Sequence, residues 1–281
     1  MDPVRLMIDG ILVIDKPVGM TSFGVVSMVR RRLGIKKAGH AGTLDPMATG
    51  VLPVCLGKAT KLAQFIMGGQ KVYEGVIRLG VSTDTYDSEG VVMGTRPLGP
   101  GLDIGAIREA ADGFTGKILQ APPPFSAVKH NGQPLYKLAR KGILIEKAPR
   151  QVEVFSFDLL KVDIPDISFR IHCSKGTYIR SIAHGLGEAL GCGGCLAALR
   201  RTVNGQFGLG HAIGIDALDG ILAADRLLDV LIPIDMVRAV GVAGAANPRA
   251  SAGPDHIGPR ERPASSLETE DLCGAQTPNL I

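Results

Sequence analysis

The sequence predicts a globular domain of the mixed α/β or α+β class, followed by a C-terminal segment of different character. Apolar residues make up 45% of the 281 residues and charged residues 21%, which is enough to build a buried core. Apolar patterns typical of strands and helices alternate irregularly, without an internal repeat or a strict β-α-β period. A doubly wound parallel sheet is therefore not expected.

Short apolar runs and period-two alternation predict the strands. Residues 71–79 alternate between apolar and polar types, which indicates a strand buried on one face. Pro53 limits the hydrogen bonds that the second predicted strand can donate. The predicted strands are residues 11–14, 51–56, 71–79, 152–162 and 167–175, with an extended segment at 120–125.

Helices are predicted where apolar residues recur at helical spacing between start and stop signals. Thr21 and Ser22 can cap the first helix, and Gly34 ends it. The predicted helices are residues 23–33, 59–67, 104–114, 136–141 and 178–190, with one or two more within 217–231. Beyond about residue 240, Pro, Gly, Ala, Ser and charged residues dominate, which predicts a mostly disordered tail.

The loop predicted at residues 39–50 is the most informative segment. It combines one acid, one imidazole, three glycines and a proline, so an ordinary helix or strand is excluded. Asp45 precedes Pro46, which favours an extended or turn conformation. From the residues alone, Asp45 is either a turn-forming residue or a carboxylate positioned for chemistry.

Charge is distributed unevenly around this loop. The net charge is +4, and residues 239–281 carry three Arg and five acids, so residues 1–238 carry +6. Basic residues cluster at 30–32, at 36–37 and at 200–201. Such a surface suits the phosphates of a nucleic acid, although an isolated cluster is more often a solvated helix face.

Several classes of function are disfavoured. The chain has no apolar run of 18 residues and no secretory signal, so a cytoplasmic protein without a membrane span is expected. Five cysteines form no disulfide framework. Cys192 and Cys195 lack a second ligand pair and are expected to be small buried thiols. Neither a metal nor a cofactor is predicted.

Ordered sequence blocks across residues 10–238 resemble the bacterial tRNA pseudouridine-55 synthases, the TruB family. The blocks are residues 15–22, 39–61, 71–90, 120–140, 176–181 and 199–207. The resemblance implies an α+β catalytic domain at residues 1–238, with a mixed, largely antiparallel central sheet flanked by helices and loops, the pseudouridine synthase fold. Members of the family usually end in a PUA domain, whose pattern residues 239–281 lack, so we expect a disordered or degenerate tail there.

The resemblance also implies the reaction and its partners. Uridine 55 in the T loop of tRNA would be flipped out and isomerised: the N1 glycosidic bond breaks, the uracil turns, and C5 joins the ribose. This needs neither cofactor nor metal, and it implies a monomer that acts on tRNA without an obligate protein partner. Whether the aspartate attacks the ribose, attacks the uracil or assists glycal formation stays open.

Three residues match the family's catalytic positions. Asp45 would act as nucleophile or stabilise positive charge at the sugar carbon. Arg180 would lie beside Asp45 and position its carboxylate. Tyr73 would stack on the extruded uracil and assist proton removal from C5.

Other residues match positions that hold the RNA. His40 would fill the gap left by the flipped base, as an exposed stacking wedge. Tyr178 and Leu199 would line the base pocket, although both could equally be core residues. The remaining predicted RNA-site residues are basic, with Lys16 supporting the loop and the others contacting phosphates: Lys16, Arg30, Arg31, Lys36 and Lys37.

Two rival functions remain. One is a non-catalytic RNA-binding or tRNA-folding protein that uses the same surface. The other is a carboxylate-dependent hydrolase of small glycosides, which would need a second acid from Asp84, Asp87 or Glu74.

Overall fold

A computed structural model describes residues 8–237 of the chain. The strands are β1 (Gly10–Lys16), β2 (Ala38–His40), β3 (Thr49–Leu56), β4 (Lys71–Leu79), β5 (Val81–Thr83), β6 (Val92–Thr95), β7 (Gly116–Gln120), β8 (Lys129–His130), β9 (Gln133–Pro134), β10 (Arg150–Asp163), β11 (Asp166–Cys173), β12 (Gly194–Asn204), β13 (Phe207–Gly208), β14 (Ile213–Gly214) and β15 (Leu231–Ile232). The α-helices are α1 (Ser22–Arg32), α2 (Ala63–Met67), α3 (Ile104–Asp112), α4 (Leu135–Ala139), α5 (Ile179–Ala189), α6 (Ala217–Ala223) and α7 (Leu227–Val230). The tail predicted at residues 239–281 lies outside the described residues.

A large mixed sheet forms the centre of the fold. Its main order is β14-β1-β3-β12-β4-β11-β10-β7, with β15, β2 and β13 paired to β1, β3 and β12. The β1–β14 and β3–β12 pairs are parallel, and the other pairs of this sheet are antiparallel. The prediction of an α+β fold with a mixed, largely antiparallel central sheet is confirmed.

Most predicted elements occur within a few residues of their expected bounds, and β4 matches its prediction at both ends. The helix predicted at 59–67 is instead a 3₁₀ helix, Gly57–Leu62, followed by the short α2. The predicted loop at 39–50 begins as the end of β2. Strand β12 was not predicted at all, because its Gly, Ala and paired Arg residues give no clear alternation.

Helix α5 packs against the sheet and is held close to the start of β12. Its inward residues Ile182 and Leu186 are fully buried in the main core. At Gly187 a Cβ atom would overlap the backbone at Gly193 and Gly194, so the helix approaches the start of β12 as closely as glycine allows. This contact fixes α5, whose first turn carries one of the predicted catalytic residues.

The four cysteines within residues 8–237 are buried free thiols, in agreement with the prediction for Cys192 and Cys195. In this part of the chain no helix has the length and apolar character needed to cross a membrane.

Candidate active site

The loop between β2 and β3 presents Asp45 and is held by hydrogen bonds from neighbouring elements. Ser22, at the start of α1, accepts a hydrogen bond from the Leu44 amide at 2.8 Å and donates one to the Leu44 carbonyl at 3.0 Å. Lys16 Nζ, at the end of β1, donates to the Pro46 carbonyl at 3.1 Å. The main chain on both sides of Asp45 is therefore fixed.

Strand β12 holds the two ends of the same loop. Arg201 is 1% exposed and donates to the carbonyls of Gly42 and Val51, both at 2.9 Å. Asn204, fully buried, donates to the Ala41 carbonyl at 2.7 Å. A buried guanidinium needs such acceptors, and here the loop's own carbonyls supply them.

The sequence placed both Arg200 and Arg201 on a cationic surface, and for Arg201 the structure corrects this prediction. Adjacent strand residues face opposite sides of a sheet, so one of the two arginines points inward. Arg200 remains partly exposed and pairs with Asp15 at 2.7 Å, whereas Arg201 is buried beneath the loop. Alternation along a recognised strand would have revealed this difference.

Asp45 forms an ion pair with Arg180 of α5. The Arg180 Nε atom lies 2.9 Å from Asp45 Oδ2. The contact is an ion pair rather than an aligned hydrogen bond, because Arg180 Nε has no hydrogen-bond partner. The Asp45 side chain is 38% exposed and that of Arg180 is 5% exposed, so the carboxylate is open to a substrate while the guanidinium is not.

The rest of the Arg180 guanidinium is surrounded by acceptors. Its Nη1 atom donates to the Thr85 carbonyl at 2.8 Å and lies 3.5 Å from Asp87 Oδ2, and its Nη2 atom donates to the Phe125 carbonyl at 2.9 Å. Asp87 is buried and accepts a hydrogen bond from Thr85 Oγ1 at 2.6 Å. Arg180 thus bridges one open and one buried carboxylate.

None of the three candidate second acids lines the cavity that contains Asp45. Asp87 is committed to Arg180, Glu74 pairs with Arg170 at 2.6 Å, and Asp84 accepts the Val91 amide at 2.7 Å. A glycoside hydrolase needs an acid on each side of the scissile bond. The structure therefore argues against the hydrolase hypothesis.

The cavity next to Asp45 has a volume of about 270 Å³, near the lower end for small-molecule sites. Asp45, Arg180, Tyr73, Tyr178 and Leu199 all line it. Five predicted residues from separate parts of the chain are thus brought together. The cavity offers a flat apolar group an aromatic wall beside one accessible carboxylate.

Tyr73 is 8% exposed and lies on the β4 face that also carries Lys71. Burial raises the pKa of the Tyr73 phenol above its usual value. The phenol is therefore protonated near neutral pH, and it cannot serve as a standing phenolate base. Lys71 donates to the Met67 and Gly69 carbonyls, and burial lowers its pKa to about 8.

Tyr178, at the N-cap of α5, is held through its backbone. Its amide donates to Gln120 Oε1 at 2.7 Å, and its carbonyl accepts from Gln120 Nε2 at 3.0 Å. Gln120 is buried at the end of β7. Gln120 belongs to a recognised sequence block, but nothing in the sequence indicated this reciprocal pairing.

His40 differs from its predicted description. It is half-buried in β2, where it pairs with Val54, rather than exposed. Its Nδ1 atom is buried without a hydrogen-bond partner. Burial, with a smaller effect from Arg201, lowers the pKa of His40, so the imidazole is neutral near pH 7. A wedge role would use only its accessible edge.

The basic residues divide into two groups. Arg30, Arg31, Lys36 and Lys37 are exposed, as phosphate contacts require. Lys16 is fully buried, and burial lowers its pKa to about 8. Such burial does not favour a phosphate contact, whereas the hydrogen bond from Lys16 to the Pro46 carbonyl agrees with its predicted support of the loop.

A second groove, of about 590 Å³, shares Leu199 with the cavity. It contains Glu74 and Glu89 together with Arg200, and it does not contain Asp45. Two carboxylates make it a poor site for a polyanion. Among residues 8–237 there is also no cluster of three or more His, Cys, Asp or Glu side chains that could hold a metal.

The structure thus combines an α+β fold with an accessible carboxylate, paired with a buried arginine, beside an aromatic-lined cavity. Residues 30–179 match the model of the TruB family pseudouridylate synthase N-terminal domain. Residues 180–238 match the model of the tRNA pseudouridylate synthase B C-terminal domain. The chain belongs to the TruB family of pseudouridylate synthases.

Curated relatives carry the name tRNA pseudouridine synthase B. The protein from Opitutus terrae is 48% identical over 230 residues, covering 82% of this chain and 95% of its own length. That from Clostridium kluyveri is 48% identical over 227 residues, covering 81% and 76%.

A solved structure is also similar, that of the archaeal box H/ACA sRNP Nop10-Cbf5 complex. It has a TM-score of 0.62 and 29% identity to this chain. The match covers 85% of this chain and 64% of the archaeal one, so the chain spans just under two thirds of the length of that neighbour.

Proposed function

We propose that the protein is a tRNA pseudouridine synthase that isomerises uridine 55 in the T loop. The observation that carries this proposal is the pairing of an accessible Asp45 carboxylate with a buried Arg180 guanidinium at the wall of an aromatic-lined cavity. In a chain of the TruB family, this arrangement supplies what the isomerisation needs: a positioned carboxylate and a place for a flipped base.

The extruded uracil enters the cavity and stacks on Tyr73. Asp45 acts on the nucleotide while Arg180 fixes the carboxylate. The N1–C1′ bond breaks, the uracil turns, and a C5–C1′ bond forms. The C5 proton is then lost and N1 gains a proton, so the atoms balance without a cofactor. Because Tyr73 is protonated, its hydroxyl can take part only by relaying a proton.

RNA binding relies on the exposed basic surface near the loop. Arg30, Arg31, Lys36 and Lys37 contact phosphates, which position the T arm without reading its sequence. His40 occupies the gap that the flipped base leaves. Tyr178 and Leu199 close the cavity around the base.

The catalytic domain comprises residues 1–238, and the protein acts in the cytoplasm as a monomer without an obligate protein partner. Light scattering of the full chain, alone and with tRNA, tests the monomer. A mass corresponding to two or more chains at working concentration would contradict it.

The decisive experiment is incubation of the full chain with unmodified tRNA transcript, followed by mapping of pseudouridine. We expect one modified position, uridine 55, and no product from Asp45→Asn. Asp163→Asn, an exposed acid in a distant hairpin, is the matched control and should retain activity. Full product from Asp45→Asn, or tRNA binding without product from the wild type, would favour the non-catalytic RNA-binding function.

A further inference from the structure

Tyr86 and His184 stack face to face next to the Arg180 network. Their ring centroids are 3.9 Å apart and their planes differ by 3°. Tyr86 lies in the turn after β5, directly between Thr85 and Asp87. His184 lies one helical turn after Arg180 on α5. The stack therefore joins the turn that supplies Arg180 with acceptors to the helix that carries Arg180.

Tyr86 adopts a backbone conformation that its side chain does not favour. Its φ angle is +65°, in the left-handed region where non-glycine residues are strained. Its carbonyl accepts from the Leu196 amide at 3.0 Å, and its amide donates to the Thr83 carbonyl at 3.3 Å. This strained turn must be maintained by its surroundings, since a relaxed Tyr86 would adopt a negative φ.

The conformation of Tyr86 decides what its neighbours present to Arg180. The Thr85 carbonyl and the Asp87 carboxylate both face the guanidinium, and they belong to the residues on either side of Tyr86. Rotation of the Tyr86 backbone would move at least one of them away. The guanidinium in turn fixes Asp45 Oδ2 at 2.9 Å.

The Nδ1 atom of His184 is buried and has no hydrogen-bond partner, so no hydrogen bond at this atom fixes the orientation of the ring. The parallel contact with Tyr86 constrains the plane of the ring, alongside the interaction of His184 with the Gly194 backbone. Offset-stacked aromatic pairs are favourable beyond the area that they bury. The stack is thus available to hold the strained turn in place.

We propose that Tyr86 and His184 are positioning residues, whose stacked rings hold the turn at residues 83–87 so that Thr85 and Asp87 orient Arg180 toward Asp45. The catalytic consequence rests on the proposed function. Neither ring contacts the substrate cavity, so the effect belongs to turnover rather than to tRNA binding.

The first test distinguishes the effect of the ring stack from that of the strained Tyr86 backbone. It measures pseudouridine formation by single-turnover and steady-state assays on tRNA. His184→Ala should lower kcat about tenfold, with KM for tRNA within about twofold, which corresponds to about 1.4 kcal/mol of transition-state stabilisation. His184→Phe, which keeps a flat ring, should recover most of that loss. Tyr86→Ala should resemble His184→Ala, whereas Tyr86→Gly should be more active than Tyr86→Ala because glycine adopts φ +65° without strain.

The second test does not depend on activity. A double-mutant cycle by thermal unfolding compares Asp87→Asn in the wild type with Asp87→Asn in His184→Ala. If the stack holds Asp87 against Arg180, the fall in Tm caused by Asp87→Asn should be at least halved in the His184→Ala background. This arm decides the inference even if the wild type makes no pseudouridine, which would reject only the proposed function. An unchanged kcat in His184→Ala, an equal loss in His184→Phe, or an equal fall in Tm in both backgrounds would overturn the inference.

Discussion

The two carboxylates that share Arg180 should respond differently to the same Asp→Asn change. Asp87 is buried, and its contact with Arg180 excludes water at both ends. Asp45 is 38% exposed at its side chain. We expect Asp87→Asn to lower stability strongly and Asp45→Asn to lower it little while abolishing product formation.

The magnitudes follow from burial. Loss of one partner from a buried ion pair costs about 3–5 kcal/mol. Arg180 would keep the Thr85 and Phe125 carbonyls and Asp45, so we expect about 2–3 kcal/mol for Asp87→Asn. At roughly 2–4 °C per kcal/mol for a domain of this size, Tm falls by about 4–12 °C. Partly exposed pairs contribute about 0–1 kcal/mol, so Asp45→Asn should shift Tm by less than about 4 °C.

Thermal unfolding followed by circular dichroism gives the stability values, and single-turnover pseudouridine formation gives the activities. Asp163→Asn again serves as the control for a change of charge at an exposed site. A Tm for Asp87→Asn equal to that of the wild type would refute the assignment of Asp87 as the buried counter-ion. A larger fall in Tm for Asp45→Asn than for Asp87→Asn would refute the argument from burial.

Three further predictions concern the loop, a buried lysine and the RNA surface. Gly50 has φ +99°, and a Cβ atom there would overlap the carbonyl of Arg201 in β12. Gly50→Ala should therefore lower the free energy of unfolding, measured by urea titration, by about 2–4 kcal/mol. Gly99→Ala is the control and should not lower it, because a Cβ atom at Gly99 would meet no neighbour within 4 Å. Burial lowers the pKa of Lys71 from 10.5 to about 8. Between pH 8 and 10 the unfolded state therefore binds more protons than the folded state, and stability rises with pH. Lys71→Met should reduce that rise by about 1–2 kcal/mol. Replacing Arg30 and Arg31 together by Ala should lower the slope of log Kd against log salt by about 1.5 in tRNA-binding titrations, and an unchanged slope would show that they do not contact phosphate.

The sequence predicted the parts of the site that depend on local chemistry. The glycines and proline of residues 39–50 indicated a constrained loop, and the alternation of residues 71–79 placed Tyr73 on a strand. Ordered motifs then connected Asp45 with Arg180, and the structure places these two side chains in contact. Element type was predicted well wherever hydrophobic periodicity was strong.

The sequence did not reveal which of the basic residues are buried. Lys16 and Arg201 look like phosphate-binding residues, because basic residues are mostly exposed. Each is instead buried because main-chain carbonyls from a distant loop accept its hydrogen bonds. For Arg201, the pairing of β12 with β3 places the side chain beneath this loop, and β12 is the strand that its composition concealed.

This burial has a consequence for the chemistry of the cavity. Lys16, Lys71 and Arg201 each donate hydrogen bonds to main-chain carbonyls, so their positive charge is balanced by carbonyl dipoles rather than by a carboxylate in direct contact. Arg180 is partly neutralised by Asp87, which leaves Asp45 as the accessible anion of the pair. Lys16 and Arg201 thus both hold the loop and place positive charge near the cavity, which suits the phosphates beside a flipped base. A neutral replacement of Lys16 or Arg201 should therefore change both the position of the loop and the charge around the cavity.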